Sequence, residues 1–179
     1  MRYIVPVLVC ALAVSCVRSS YYDMDTWAKA YEPSATQSAN SDDDIRESVF
    51  RYQMAHNKSI QREKAHAYYL SLEAWQDPSD EFMTRFARNL VPVKKLSACE
   101  TSDRTPIGVY HKDTQLPGLV FAIRTLERTG DGEALVSGGY YESGKSGTGG
   151  TFHLKFRNGR WVVIESSEST NTEYFKERM

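Results

Sequence analysis

Apolar positions along the chain fall into three regimes. From Ile4 to Val14 they form an unbroken run of about eleven residues, between Ile45 and Leu90 they recur mainly at helical spacing, and from Leu119 to Val163 they alternate. The first run follows basic Arg2 and leads into small Ser15 and then Cys16. It is shorter than the roughly 20 residues a bilayer-spanning helix needs, so it reads as the apolar core of an export signal that is removed.

The second regime opens at Ser41-Asp42-Asp43-Asp44, where Ser41 can cap a helix and Asp44 occupies the capping-box position. The three acids complement the positive end of the helix dipole. Ile45, Val49, Tyr52 and His56 follow at spacings of four, three and four, which predicts one core-facing stripe ending at a partly exposed His56. Lys64 to Leu72 alternates instead. His66, Tyr68, Leu70 and Leu72 share one side and Ala65, Ala67, Tyr69 and Ser71 the other, so a strand with one heavier core face is expected. Asp77 as cap and Pro78 as first helical residue predict a second helix, with Phe82, Met83, Phe86 and Leu90 as its stripe and Pro92 as its stop. A short strand from Val93 to Ser97 and a loop containing Pro106, Gly108 and Pro117 come next.

The third regime is a run of strands. Leu119 to Leu126 is expected to turn at Gly130-Asp131-Gly132 and return from Ala134 to Tyr141, with a glycine-rich loop from Glu142 to Gly150. Phe152, Leu154 and Phe156 then alternate with His153, Lys155 and Arg157, and Asn158-Gly159 is a favoured two-residue hairpin turn. That turn sets Arg157 opposite Arg160, Phe156 opposite Trp161, Leu154 opposite Val163 and Phe152 opposite Glu165.

Composition adds bounds. With 179 residues, 41% hydrophobic and 25% charged, the chain has the mass for one ordinary globular domain. Its formal net charge is -1 with basic residues scattered, which argues against a nucleic-acid partner. The organisation expected is a signal over 1–15, a cysteine and polar tether over 16–40, a domain over 41–168 and a polar tail over 169–179. Tyr21, Tyr22, Trp27 and Tyr31 in the tether suit packing on the domain or a place at a lipid interface.

The ending Ala13-Val14-Ser15-Cys16 resembles the lipobox of bacterial lipoproteins, with Ala13 where such motifs usually carry Leu. The resemblance implies that Cys16 is diacylated and becomes the N-terminus, anchoring the protein in the cell envelope. Val17 rather than Asp after the cysteine implies the outer membrane. An ordinary cleaved secretory signal and an uncleaved anchor are the alternatives. Of the three cysteines, Cys10 would leave with the signal, Cys16 would carry lipid and Cys99 would remain as a small buried apolar residue. Without lipidation, a Cys16–Cys99 disulfide becomes an option. The sequon Asn57-Lys58-Ser59 has no use in a bacterial lipoprotein.

Element order from Ser41 to Ser167, closing on Phe156-Arg157-Asn158-Gly159-Arg160-Trp161-Val162-Val163, resembles the nuclear transport factor 2-like and cystatin-like α+β folds. The resemblance implies N-terminal helices packed on a curved antiparallel β-sheet around a cone-shaped cavity. Tyr68, Trp161 and Glu165 are the candidate lining, Glu165 either as an acid or base at an apolar cavity or as a solvated rim residue.

Candidate chemistry is sparse. Gly139-Tyr140-Tyr141-Glu142-Ser143-Gly144-Lys145-Ser146 matches the spacing of a phosphate-binding loop, but that loop needs a helix directly after it, and here an alternating strand follows. The four histidines, His56, His66, His111 and His153, are scattered, with no second cluster near His111-Lys112-Asp113 for a metal. Cys99 lacks the surroundings of a catalytic nucleophile. No cofactor, metal or nucleotide is therefore expected. The expected function is a non-catalytic envelope module that binds a protein or peptide partner, and the alternative is small-molecule binding or catalysis in the cavity.

Overall fold

A computed structural model describes residues 40–102, 108–143 and 146–169. The first element among the described residues is helix α1, Asp42–His56. Its cap is reciprocal, as the sequence predicts: the Asp44 amide donates to Ser41 Oγ at 3.2 Å and the Ser41 amide to Asp44 Oδ2 at 2.9 Å. At the other end the Asn57 amide group donates to the Met54 carbonyl at 2.9 Å, which ties the sequon asparagine into the helix terminus, where it is buried.

The strands are β1 (Ala67–Ser71), β2 (Val93–Lys95), β3 (Cys99–Thr101), β4 (Val109–His111), β5 (Gly118–Gly130), β6 (Glu133–Ser143), β7 (Ser146–Arg157) and β8 (Arg160–Ser169). Six form one sheet in the order β2-β1-β5-β6-β7-β8, and β3 pairs with β4 in a separate ladder. The short helix α2, Asp80–Thr84, lies between β1 and β2.

The expected α+β fold, with helices packed on a curved antiparallel sheet, is corrected here. Among the described residues 51% lie in strands and 24% in helical turns, α1 is the only long helix, and the sheet is mixed. β1 runs parallel to both β2 and β5. A parallel neighbour needs a connection of a dozen or more residues, and the long segments on either side of β2 permit it, whereas β5–β6 and β7–β8 are joined by two-residue connections as antiparallel pairs. All five residues of β1 are buried, because a central strand in parallel pairing is covered on both faces. This overturns the single heavier face expected for 64–72.

Other local differences have similarly direct causes. Ser79, not Asp77, caps α2 by accepting from the Phe82 amide at 3.1 Å, while Asp77 accepts from the Ser97 amide at 2.8 Å. The helix stops after five residues, and Leu90 is 78% exposed instead of completing a stripe. The glycine-rich stretch begins β7 rather than forming a loop: Gly149 and Gly150 pair with Gly139 and Gly138. Bare backbone is required at Gly138, where a Cβ would lie 2.5 Å from the Ala122 carbonyl oxygen and 2.8 Å from Gln53 Nε2 of α1.

The core has two parts, one on each face of the sheet. Under α1 and α2 lie Ile45, Val49, Phe50, Phe82, Leu70 and Phe121, together with inward residues of β6–β8. On the opposite face Tyr69, Val120, Ala122 and Tyr141 are covered by Leu96, Cys99 and Val109 from the β3–β4 layer.

Candidate functional site

The C-terminal hairpin keeps the expected register at its turn, with Arg157 opposite Arg160, Phe156 opposite Trp161 and Leu154 opposite Val163. A bulge then shifts β8, so Phe152 faces Ser166 and Glu165 faces His153. The Tyr52 hydroxyl of α1 meets Ser166 Oγ at 2.8 Å on the helix side. Glu165 is exposed. Trp161 is 4% and Tyr68 6% exposed, both within the core under α1, where Tyr68 packs edge-on to Phe121 at 5.1 Å. The structure therefore does not bring Tyr68, Trp161 and Glu165 together around a cavity. Cys16 lies outside the described residues.

Most groups with chemical potential are bound into the fold. Ser146, the last residue of the phosphate-loop pattern, donates to buried Glu142, as does Ser59. A strand, not a helix, follows it. His111 Nε2 lies 2.8 Å from Lys94 Nζ, and its Nδ1 accepts from the Asp113 amide at 3.2 Å. Cys99 is buried opposite His111, and its thiol donates to the Leu96 carbonyl at 3.2 Å. No group of three or more His, Cys, Asp or Glu side chains placed to hold a metal occurs among the described residues. Tyr69 is fully buried, its hydroxyl has no partner among the described residues, and burial, with Cys99 beside it, pushes its pKa up to about 12.

The helix side carries an ion network. Glu47 is 3% exposed and holds Arg51 Nε at 2.8 Å and Arg85 Nη1 at 2.7 Å, while Arg85 also reaches Asp44 at 2.9 Å. Burial pushes the Asp44 carboxyl up, but hydrogen bonds from Arg85 and Ser41 outweigh it and hold the group below the ordinary carboxylate value. Arg46 spans from Asp43 to Glu73, and so reaches the turn after β1.

That turn borders a concavity. β1 ends at Ser71, opposite Ala122, while β5 runs on to Gly130, and beyond Ser71 the turn through Glu73–Trp75 packs on β5 in place of a strand. Leu72 and Gln76 close the turn through an amide-to-carbonyl bond of 2.8 Å. Within it Ala74 and Trp75 have φ of 56° and 61°, left-handed values that cost a non-glycine residue roughly 1–2 kcal/mol. The resulting cleft has a volume of about 270 Å³ and is lined by Leu72, Trp75, Ile123, Arg124, Thr125 and Ser137 among others. Arg124 is the extra residue of a bulge between Ile123 and Thr125, and the Thr125 and Ser137 hydroxyls meet at 2.6 Å. The pattern of apolar and polar positions does not single out these residues. The one available signal was Arg124, followed by Thr125, inside the mainly apolar stretch Leu119 to Leu126.

Compared with known protein families, with curated proteins and with solved structures, the chain gives no match.

Proposed function

We propose that this chain is an exported, lipid-anchored envelope protein whose β-rich domain binds an extended segment of a partner protein. The observation that supports binding is strand β8. It has ten residues, pairs with β7 on one side and has no strand on its other side among the described residues. Such an edge offers a row of backbone donors and acceptors to an added strand. Its bulge limits indiscriminate pairing, leaves Ile164 39% exposed as an apolar contact and sets exposed Glu165 in mid-strand, which favours Lys or Arg opposite. The lipid anchor is supported by the sequence Ala13-Val14-Ser15-Cys16.

The two halves are tested separately. Cys16→Ala should abolish labelling by radioactive palmitate and move the protein from membrane to soluble fractions. Label and membrane association that persist in this variant defeat the anchor. For binding, the full chain carrying Ile164→Lys and Ser167→Lys should retain its melting temperature and lose at least about tenfold of the envelope protein that cross-links to the wild type, because lysine on an edge opposes strand addition. Equal cross-linking by both forms defeats the β8 reading.

A further inference from the structure

The end of the sheet at which the parallel strands begin carries a feature independent of the β8 edge. β1, β2 and β5 start side by side, with Tyr68 level with Val93 and Leu119. The segments leading into them are tied together: the His66 amide donates to the Pro117 carbonyl at 2.8 Å and the Tyr68 amide to the Pro92 carbonyl at 2.9 Å. Antiparallel β6 ends here too, and buried Glu142 near its end accepts from Ser59, which brings the chain after α1 to the same place. Each of the three segments presents one large aliphatic side chain to solvent. Ile60 is 81%, Leu90 78% and Leu116 43% exposed, whereas the other exposed large hydrophobics among the described residues, Leu135 and Ile164, lie within strands. From β2 to β6 the sheet is three strand spacings wide, roughly 15 Å.

Isolated apolar side chains on a surface are ordinary, so exposure alone selects no partner. The charge around these three does. Arg62 and Lys64 follow Ile60, Arg88 precedes Leu90 and Lys112 precedes Leu116; all four are exposed, and none of these side chains has an ion pair among the described residues. The acidic groups at this end are exposed Glu63 and Asp113, while Glu142 is buried and Glu168 is paired with Lys58 at 2.7 Å, so cations are in excess. Projecting aliphatic side chains ringed by unpaired cations complement a membrane containing anionic lipids. The aliphatic tips enter the boundary between headgroups and acyl chains, and the cations meet the phosphates. A protein-binding patch is built differently, around packed aromatic residues with charge kept out of its centre. We propose that this end of the domain is a membrane-contact tip: Ile60, Leu90 and Leu116 insert into a lipid surface bearing anionic headgroups, and Arg62, Lys64, Arg88 and Lys112 hold it there. Asn40 lies at the opposite end of the sheet, bonded to Arg128 of β5, so a contact made by the tip is not imposed by the chain that precedes the domain.

Leu90→Trp places a fluorophore at the tip of the full chain. Its emission is followed on vesicles of phosphatidylcholine and on vesicles containing phosphatidylglycerol, both with bromine on the acyl chains as a quencher confined to the bilayer. The contribution of Trp27, Trp75 and Trp161 is subtracted with the unsubstituted chain. The ratio of inserted to free tip, read from the quenched fraction at saturating lipid, should be at least about tenfold higher on the anionic vesicles, and the difference should shrink at high salt. Arg62→Gln, Lys64→Gln and Arg88→Gln together should lower the anionic ratio at least about tenfold. Ile60→Ser with Leu116→Ser should lower it as well, and these exposed changes should leave the melting temperature unaltered. Leu116→Trp is a second probe should Leu90→Trp not fold. Quenching should persist in Cys16→Ala, so that loss of the anchor and loss of the tip contact are separate failures. No quenching at either probe position, equal ratios on the two vesicles, or an unchanged ratio in the triple glutamine variant overturns the proposal.

Discussion

The two faces of the sheet are covered in different ways. Under α1 the cover is thick: a long helix and a short one, sixteen buried core residues, and a buried carboxylate, Glu47, shared between Arg51 and Arg85. On the opposite face the cover, among the described residues, is the two three-residue strands β3 and β4 with the turn Leu96–Ala98, and it packs on residues of β1, β5 and β6. Beyond it Thr125, Ser137, Thr151 and Ser167 stand in cross-strand register as a row of hydroxyls, and Glu127, Leu135, His153 and Glu165 form the next row. The difference teaches where stability resides. The helix face is closed by packing and charge pairing, while the rows of hydroxyl and charged side chains belong to the thinly covered face.

The largest effect expected from this contrast is on the closed side. Glu47→Gln leaves two arginines beside a buried site without their shared carboxylate, and removing one partner of a buried pair costs about 3–5 kcal/mol. Urea unfolding measures it. Asp43→Asn, which breaks the more exposed pair with Arg46, should cost under about 1 kcal/mol. The same network makes the fold sensitive to acid. Asp44 sits below its unfolded value, so its contribution is present above about pH 4 and is lost as pH falls through the lower folded value.

A smaller loss is expected on the thin side. Leu96 is 5% exposed and belongs to the core cluster that contains Tyr69 and Val120, so Leu96→Ala should cost about 2–3 kcal/mol through lost burial and a cavity. If it destabilises more than Glu47→Gln, the contrast between the faces is reversed, and the β3–β4 layer is the stronger support.

Legibility in the sequence followed the range of the interactions involved. The start of α1 could be read because a capping box closes within four residues, and the Asn158-Gly159 turn could be read because its register is set by adjacent strands. Register failed beyond Leu154–Val163, where Ile164 bulges, and the shift sets Ser166 beside Tyr52 of α1, a contact that nothing within the hairpin records. The parallel pairing of β1 was hidden for the same reason, since its partners β2 and β5 lie far along the chain. Both were needed to place the candidate site. The cleft exists where β1 stops short of β5, and Glu165 left the apolar face through a one-residue shift that no pattern of alternation records.

The smallest expected effect separates packing from polarity on the thin face. Tyr69 is fully buried and its hydroxyl has no partner among the described residues, so the group has lost water without recovering a hydrogen bond. Tyr69→Phe removes that hydroxyl and keeps the ring, and it should stabilise the protein by about 1 kcal/mol near neutral pH. The gain has a particular pH dependence. Burial and the neighbouring Cys99 raise the folded pKa from 10.0 to about 12, so the folded state holds this proton over a range in which the unfolded chain releases it. Stability linked to Tyr69 is therefore complete below about pH 10 and falls as pH rises toward about 12, by roughly 1.4 kcal/mol per unit of separation at most. In Tyr69→Phe that decline should be absent, so the difference between variant and wild type should widen from pH 10 upward in matched urea titrations. A parallel pair of curves would mean that the hydroxyl finds solvent in the folded protein, and that the thin face is open under β3–β4 as well as beyond it.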